Sequence, residues 1–252
     1  PEHQQDQPTA DALTAPASPL SSSGFRAVDA FLGVTQSVTG NRWVARKASD
    51  DVAAQIAALT GITTATKPVL LFGATGSGKT EVYLQVAAQC LADHPQAQIL
   101  VLVPEINLTP QLEARFFARF GDEQVVSMHS GLTPAQRLQS WLSAHLGHAR
   151  VVLGTRMAVF ASLPHLQLIV VDEEHDPSYK SQEGARYSAR DLAIYRAHSK
   201  SGCRVILGSA TPALETWYAA EQGRYVRFNM PSRMGGAALP TLRLVDMQRQ
   251  PK

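Results

Sequence analysis

A chain of 252 residues with 44% hydrophobic composition can bury one substantial core, with room for a small second unit. Its formal net charge of +2 is too small to mark a nucleic-acid binder, so any such surface must be local. No apolar run approaches the ~20 residues that cross a bilayer and no signal peptide is visible, so no membrane partner is expected. Two cysteines, Cys90 and Cys203, stand far apart in apolar surroundings. They read as buried reduced thiols of a cytosolic protein and exclude a cysteine-based zinc site in this chain.

The chain begins at Pro1 rather than Met, which reads as a piece of something longer. Residues 1–24 are rich in Gln, Pro, Ser, Thr and Ala, cannot bury enough apolar surface to offset chain entropy, and are expected to be a flexible linker. Residues 25–66 form a poorly readable lead-in with a helical pattern near 51–59. After Pro68 short apolar runs recur at 69–72, 99–103, 125–128, 151–153, 166–171 and 205–207, each followed by turn residues and helical spacing. Strands that are apolar throughout, alternating with helices, predict an α/β fold over 67–232. Its sheet is mostly parallel and covered by helices on both faces. Ligands of such sheets sit at the carboxyl ends of the strands. Residues 233–252 are left as a tail.

The first of those strand ends carries "GATGSGKT", residues Gly73, Ala74, Thr75, Gly76, Ser77, Gly78, Lys79 and Thr80. Glycines let the backbone curl so that its N–H groups face a phosphate chain, and the helix that follows adds partial positive charge. Lys79 is expected to reach the β and γ phosphates and Thr80 to ligate magnesium. The fifth run ends in Asp172, Glu173, Glu174, His175 and Asp176, four carboxylates in five positions. Asp172 can hold the magnesium that bridges the terminal phosphates, and Glu173 can position and deprotonate the attacking water, so the reaction read here is hydrolysis. Glu174 and Asp176 have solvation as their plainest explanation. Downstream, Tyr179, Lys180, Arg186, Tyr187 and Arg190 interleave aromatic and basic groups, a pattern that grips single strands by stacking and phosphate neutralisation. Arg196 and Lys200 have the spacing of a solvated helix face.

Taken together, "GATGSGKTEVY", "VPEINLTPQ", "HSG", "GTRMAVF", "DEEHDPSYKSQEGARYSARDLA" and "GSATPALET" resemble, in order, the motifs of superfamily-2 helicases of the DExH type. Within these they look like the bacterial primosomal replication-restart DNA helicases. The resemblance covers about residues 68–233 and implies a RecA-like P-loop domain, the first motor lobe. It implies ATP and Mg2+ as cofactors, and single-stranded or forked DNA, primosome proteins and single-strand-binding proteins as partners. The implied location is the bacterial cytoplasm, in association with the nucleoid. It makes His175, Ser209 and Thr211 a coupling set, short hydroxyl donors at a strand end within reach of the histidine or the carboxylates. It brings Thr109 to the nucleic-acid backbone, although a plain helix N-cap at that residue would look the same. Arg156, which follows another strand end, reads as a phosphate contact or as part of an internal ion pair. His129 is read as structural.

The match also has gaps. The adenine-recognition Gln of the family is replaced by Gly24 in "LSSSGFRAVDAF", and Ala185 and Ser188 stand where bulkier or imidazole residues are common. Zinc is expected only in the part of the full-length family proteins not present in this chain. The second lobe is likewise expected beyond the tail, with an arginine finger worth about 10³–10⁵ in rate. The isolated chain is therefore expected to be inactive or nearly so. Two other readings remain, a non-catalytic nucleotide- or DNA-binding module and a fragment of a RecG-like duplex translocase.

Overall fold

The computed structural model describes residues 67–230. The linker, the lead-in with its expected helix and adenine region, and the tail lie outside the described residues. The chain runs β1 (Val69–Gly73), α1 (Lys79–Asp93), β2 (Gln98–Leu102), α2 (Pro110–Phe120), β3 (Val125–Met128), α3 (Pro134–His145) and β4 (Val151–Gly154). It continues through β5 (Leu166–Val171), α4 (Ala189–Ser199), β6 (Arg204–Ser209), α5 (Leu214–Glu221) and β7 (Val226–Met230). Single 3-10 turns at Glu105–Asn107, Arg156–Phe160 and Pro177–Tyr179 interrupt the loops.

The strands form one sheet in the order β3-β4-β2-β5-β6-β1-β7, and every neighbouring pair is parallel. Each apolar run divides between the two faces with a period of two, as a strand buried on both sides must. Ile99 and Val101 of β2 with Leu168 and Val170 of β5 pack on one face under Val82, Val86 and Leu91 of α1 and Phe116 of α2. Leu100, Leu102, Ile169 and Val171 pack on the other with Ala144 of α3 and Ala189, Ala193 and Ala197 of α4. Both cysteines are buried and free, and burial pushes the Cys203 thiol up to about 11. Among the described residues no helix is long and apolar enough to cross a membrane.

Helix entries follow local chemistry. Thr109 and Thr133 each precede a proline at the first helical turn and accept a hydrogen bond from a backbone N–H three residues on. Strand β7 is additional to the six apolar runs, because an edge strand that alternates Val226, Arg227, Phe228 and Asn229 lacks the continuous apolar run of its neighbours. One expectation needs correction here. Arg196 and Lys200 do not form a solvated face. The Arg196 guanidinium donates to Val159 O and Ala161 O, and Lys200 Nζ to Leu163 O and Pro164 O, so both tie α4 to the loop before β5.

Gln98 is the polar fastener of the sheet. Its buried amide donates to Ala144 O at 2.6 Å and Ala149 O at 3.0 Å and accepts from His165 N at 3.0 Å. Leu at this position would leave these groups unpaired, each at a cost of about 1–3 kcal/mol when buried. Gln98→Leu is expected to lower unfolding free energy by about 2–4 kcal/mol after partial relaxation, measured by urea denaturation. An unchanged midpoint would mean that these backbone groups find other partners.

Candidate nucleotide site

Three neighbouring strands, β5, β6 and β1, end side by side, and the phosphate loop, the acidic box and "GSATP" leave from those ends. The loop turns through Gly76 (φ 80°) and Gly78 (φ 99°), both left-handed, and Glu81 N and Val82 N close the first turn of α1 on Gly78 O. Gly73 is confined, since a Cβ there would lie 2.7 Å from Ser77 Oγ and 2.8 Å from Met230 Cβ. Lys79 is only 7% exposed; its Nζ donates to Gly73 O at 2.9 Å and sits 3.7 Å from Glu173 Oε1. Ser77 Oγ is buried without a hydrogen-bond partner among the described residues, and the N-terminus of α1 has no side-chain cap. A buried cation, an orphaned hydroxyl and uncapped amides form a cradle for an oxyanion chain.

The crowding of the acidic box is resolved by giving each carboxylate its own partners. Asp172 leaves β5 with its N–H donating to Leu102 O at 2.9 Å, and its Oδ1 accepts from the Tyr83 hydroxyl at 3.0 Å. Burial first, and the neighbouring Glu173 charge second, raise the Asp172 pKa above the usual carboxylate value. Glu173 adopts φ 44°, the one left-handed non-glycine among the described residues, a conformation that costs about 1–3 kcal/mol. Its carboxylate lies 3.7 Å from both Lys79 Nζ and His175 Nδ1. Asp176 accepts from Ser178 N at 2.8 Å and caps the 3-10 turn.

Glu174 corrects the solvation reading, because it is 2% exposed. Its Oε1 accepts from Ala213 N at 2.8 Å, and its Oε2 accepts from Thr216 Oγ1 at 2.9 Å and from Arg190 at 3.2 Å. His175 bridges to the end of β6, with Nδ1 2.8 Å from Ser209 Oγ and Nε2 3.2 Å from Thr211 Oγ1. The three residues expected to act as a coupling set therefore touch.

The nucleic-acid expectations fare unevenly. Tyr179 is 1% exposed, with its hydroxyl donating to Asp172 O at 2.6 Å, so it packs in the core and cannot stack on a base in this structure. Arg190 is 11% exposed and pairs with Glu174 and Asp191, which makes it an internal brace rather than a free cation. Arg156 has no acidic partner among the described residues; it donates to Ser178 O at 3.2 Å and Lys180 O at 3.1 Å. Tyr187 is half-buried, edge-on to Phe160 with ring centroids 4.9 Å apart. Lys180 and Arg186 are exposed, at the foot and along the arm of a loop closed by a Lys180–Ser188 bridge. Thr109 is exposed and caps α2. His129 accepts from Gly131 N at 3.2 Å, a local turn bond that fits a structural role.

Sequence reasoning missed Tyr83 and Glu174. Tyr83 follows Lys79 by one helical turn, which puts it on the same face of α1; that spacing was the available signal. Among the described residues no cluster of three or more His, Cys, Asp or Glu has metal-binding geometry. Magnesium needs none, since one or two protein oxygens and substrate phosphates suffice. The residues here, Asp172 at a strand end and Thr80 in the first turn of α1, fit that mode.

A family model described as DEAD/DEAH box helicase matches residues 52–219. The replication restart protein PriA of Bacillus subtilis (strain 168) is 46% identical over 184 residues, 73% of this chain and 22% of that protein. That of Treponema pallidum (strain Nichols) is 40% identical over 205 residues, 81% of this chain and 29% of that protein. The chain thus spans about a quarter of the length of the curated relatives it matches. Among solved structures, RecG bound to a three-way DNA junction aligns with TM-score 0.57 at 19% identity, over 84% of this chain and 26% of that one. The DEAD-box helicase Mss116 bound to ssRNA and UDP-BeF aligns with TM-score 0.54 at 17% identity, over 73% and 40%. At such identities the likeness is one of fold, and the fold is the RecA-like α/β domain expected from the sequence.

Because the folded state holds the Asp172 proton more tightly than the unfolded chain does, stability falls as pH rises from the ordinary carboxylate pKa of about 4 through the raised one. Asp172→Asn keeps an acceptor for Tyr83 and removes that penalty. In metal-free buffer it is expected to be more stable than the parent at pH 7, with the difference closing as pH approaches about 4. Parallel stability curves for the two proteins across this range would contradict the assignment.

Proposed function

The chain belongs to the DEAD/DEAH box helicase family, and from that membership we propose that residues 67–232 are the ATP-binding first lobe of a DNA helicase acting in replication restart. The observation that carries the reading is the meeting, at three adjacent strand ends, of the phosphate loop, the acidic box and the His175–Ser209–Thr211 contacts. The 46% identity to a replication restart protein supports restart as the process.

On this reading the loop amides and Lys79 bind the β and γ phosphates, and Lys79 exchanges Gly73 O and Glu173 for them. Thr80 and Asp172 would hold Mg2+, which supplies charge neutralisation at the terminal phosphates. Glu173 orients a water and takes its proton as the water oxygen bonds to the γ phosphorus; the bond to the bridging oxygen breaks, leaving ADP and phosphate. His175, bonded to Ser209 and Thr211, links that event to β6 and α5. Single-stranded or forked DNA lies against exposed Lys180 and Arg186 and the cap of α2 at Thr109, while Arg156 and Arg190 brace the loop from behind. Primosome and single-strand-binding proteins are partners by kinship, and the cytoplasm, in association with the nucleoid, is the location. Sustained turnover belongs to a longer protein, whose second lobe contributes the arginine finger.

Lys79→Ala is expected to abolish binding of a fluorescent ATP analogue with Mg2+ while leaving the circular dichroism spectrum in place. Equal affinity in the two proteins would remove the basis of the assignment. Replacing Lys180 and Arg186 together by Ala should weaken single-strand binding and flatten its log–log salt dependence by about 1.4, at ~0.7 for each phosphate no longer neutralised. A salt slope identical to that of the parent would put the DNA on another surface.

A further inference from the structure

Tyr83 is a buried residue of α1, and its hydroxyl oxygen lies in the nucleotide site rather than in the apolar core around its ring. Phenylalanine would fill the same space. The hydroxyl needs a partner once buried, and the partner is Asp172 Oδ1 at 3.0 Å, an oxygen 89 residues away in sequence. The sheet is built to admit this contact. A Cβ on Gly208 would lie 1.5 Å from the Tyr83 hydroxyl oxygen and 2.7 Å from Cζ, so β6 carries a glycine inside a strand where a side chain would otherwise strengthen packing. Gly208 has a negative φ, so space rather than backbone conformation demands it. From the other side the Tyr179 hydroxyl holds the Asp172 carbonyl at 2.6 Å. One tyrosine thus fixes the backbone of Asp172 and the other its carboxylate.

We propose that Tyr83 is a positioning residue for the divalent cation, orienting the Asp172 carboxylate through its hydroxyl, and that Gly208 is the opening through which it reaches. The inference rests on the nucleotide-site reading above and deepens it. A hydrogen-bond donor that commits one oxygen of a carboxylate fixes the direction of the other. Loss of such an outer partner typically weakens metal affinity by about 10–100-fold. Nucleotide contacts made by the loop and Lys79 do not pass through Tyr83, so affinity for metal-free nucleotide should be indifferent to it.

The test compares the 252-residue chain with Tyr83→Phe, using a fluorescent ATP analogue in EDTA, then Mn2+ titrated into the nucleotide-saturated protein and followed by electron paramagnetic resonance. The expected result is unchanged affinity for the metal-free analogue and Mn2+ binding weakened by about 10-fold or more. The metal-free affinity doubles as the control for folding. Equal Mn2+ binding in the two proteins overturns the inference while leaving the nucleotide site standing. Parallel loss of metal-free affinity also overturns it, because the tyrosine would then be merely a packing residue. If the parent chain binds neither analogue nor Mn2+, the nucleotide reading fails and this inference falls with it.

Discussion

Like charges within one turn repel, and four carboxylates between positions 172 and 176 can coexist only where each is separately compensated. The compensation comes from distant segments: Tyr83 and Lys79 on α1 for Asp172 and Glu173, Arg190 on α4 and Thr216 on α5 for Glu174. A single acidic box therefore requires three helices to converge on the end of β5. They can do so because β5 lies between β2 and β6, with β1 next beyond. The electrostatics of five residues and the strand order of the sheet are one constraint.

Glu174 shows how far that constraint reaches. Removing one partner of a buried pair is far costlier than omitting the pair, about 3–5 kcal/mol, because a charge is left uncompensated. Arg190 stands two residues after Ser188, where the exposed basic loop closes by its bridge to Lys180, and Arg156 holds the other limb through the carbonyls of Ser178 and Lys180. Two arginines that the sequence offers as nucleic-acid ligands are thus the inner frame of the loop that presents Lys180 and Arg186. The acidic box and the loop share one hydrogen-bonded scaffold.

The parallel sheet, the glycine-rich turn between β1 and α1 and the order of the strand-end segments were legible in the sequence, because apolar runs and glycine-rich turns act locally. What escaped was direction. Tyr179 and Lys180 are adjacent, equally suited by composition to a nucleic-acid surface, yet one is buried against Asp172 and the other exposed. Glu174 and Asp176 flank His175 symmetrically, and only one turns inward. Those choices depend on which helix passes overhead, a tertiary fact that spacing along the chain does not encode. Strand β7 escaped for the opposite reason, since half of its side chains face outward at the sheet edge.

The strained backbone of Glu173 fits the same account. Its left-handed φ is enforced from both sides, by Asp172 N donating to Leu102 O, Glu174 N to Gly208 O and Asp176 N to Glu173 O. Three backbone hydrogen bonds of ordinary net worth, about 0.5–1.5 kcal/mol each, are enough to offset strain of about 1–3 kcal/mol. A relaxed turn would carry residue 173 away from Lys79 and His175. With the strain in place its carboxylate stands 3.7 Å from each, between the cation of the phosphate loop and the histidine bonded to β6. The same carbonyl that receives Glu174 N belongs to Gly208, the residue without a side chain that lets the Tyr83 hydroxyl through to Asp172. One point in β6 thereby sets both the strain of Glu173 and the access of Tyr83, which ties the geometry at the end of β5 closely to its neighbour in the sheet.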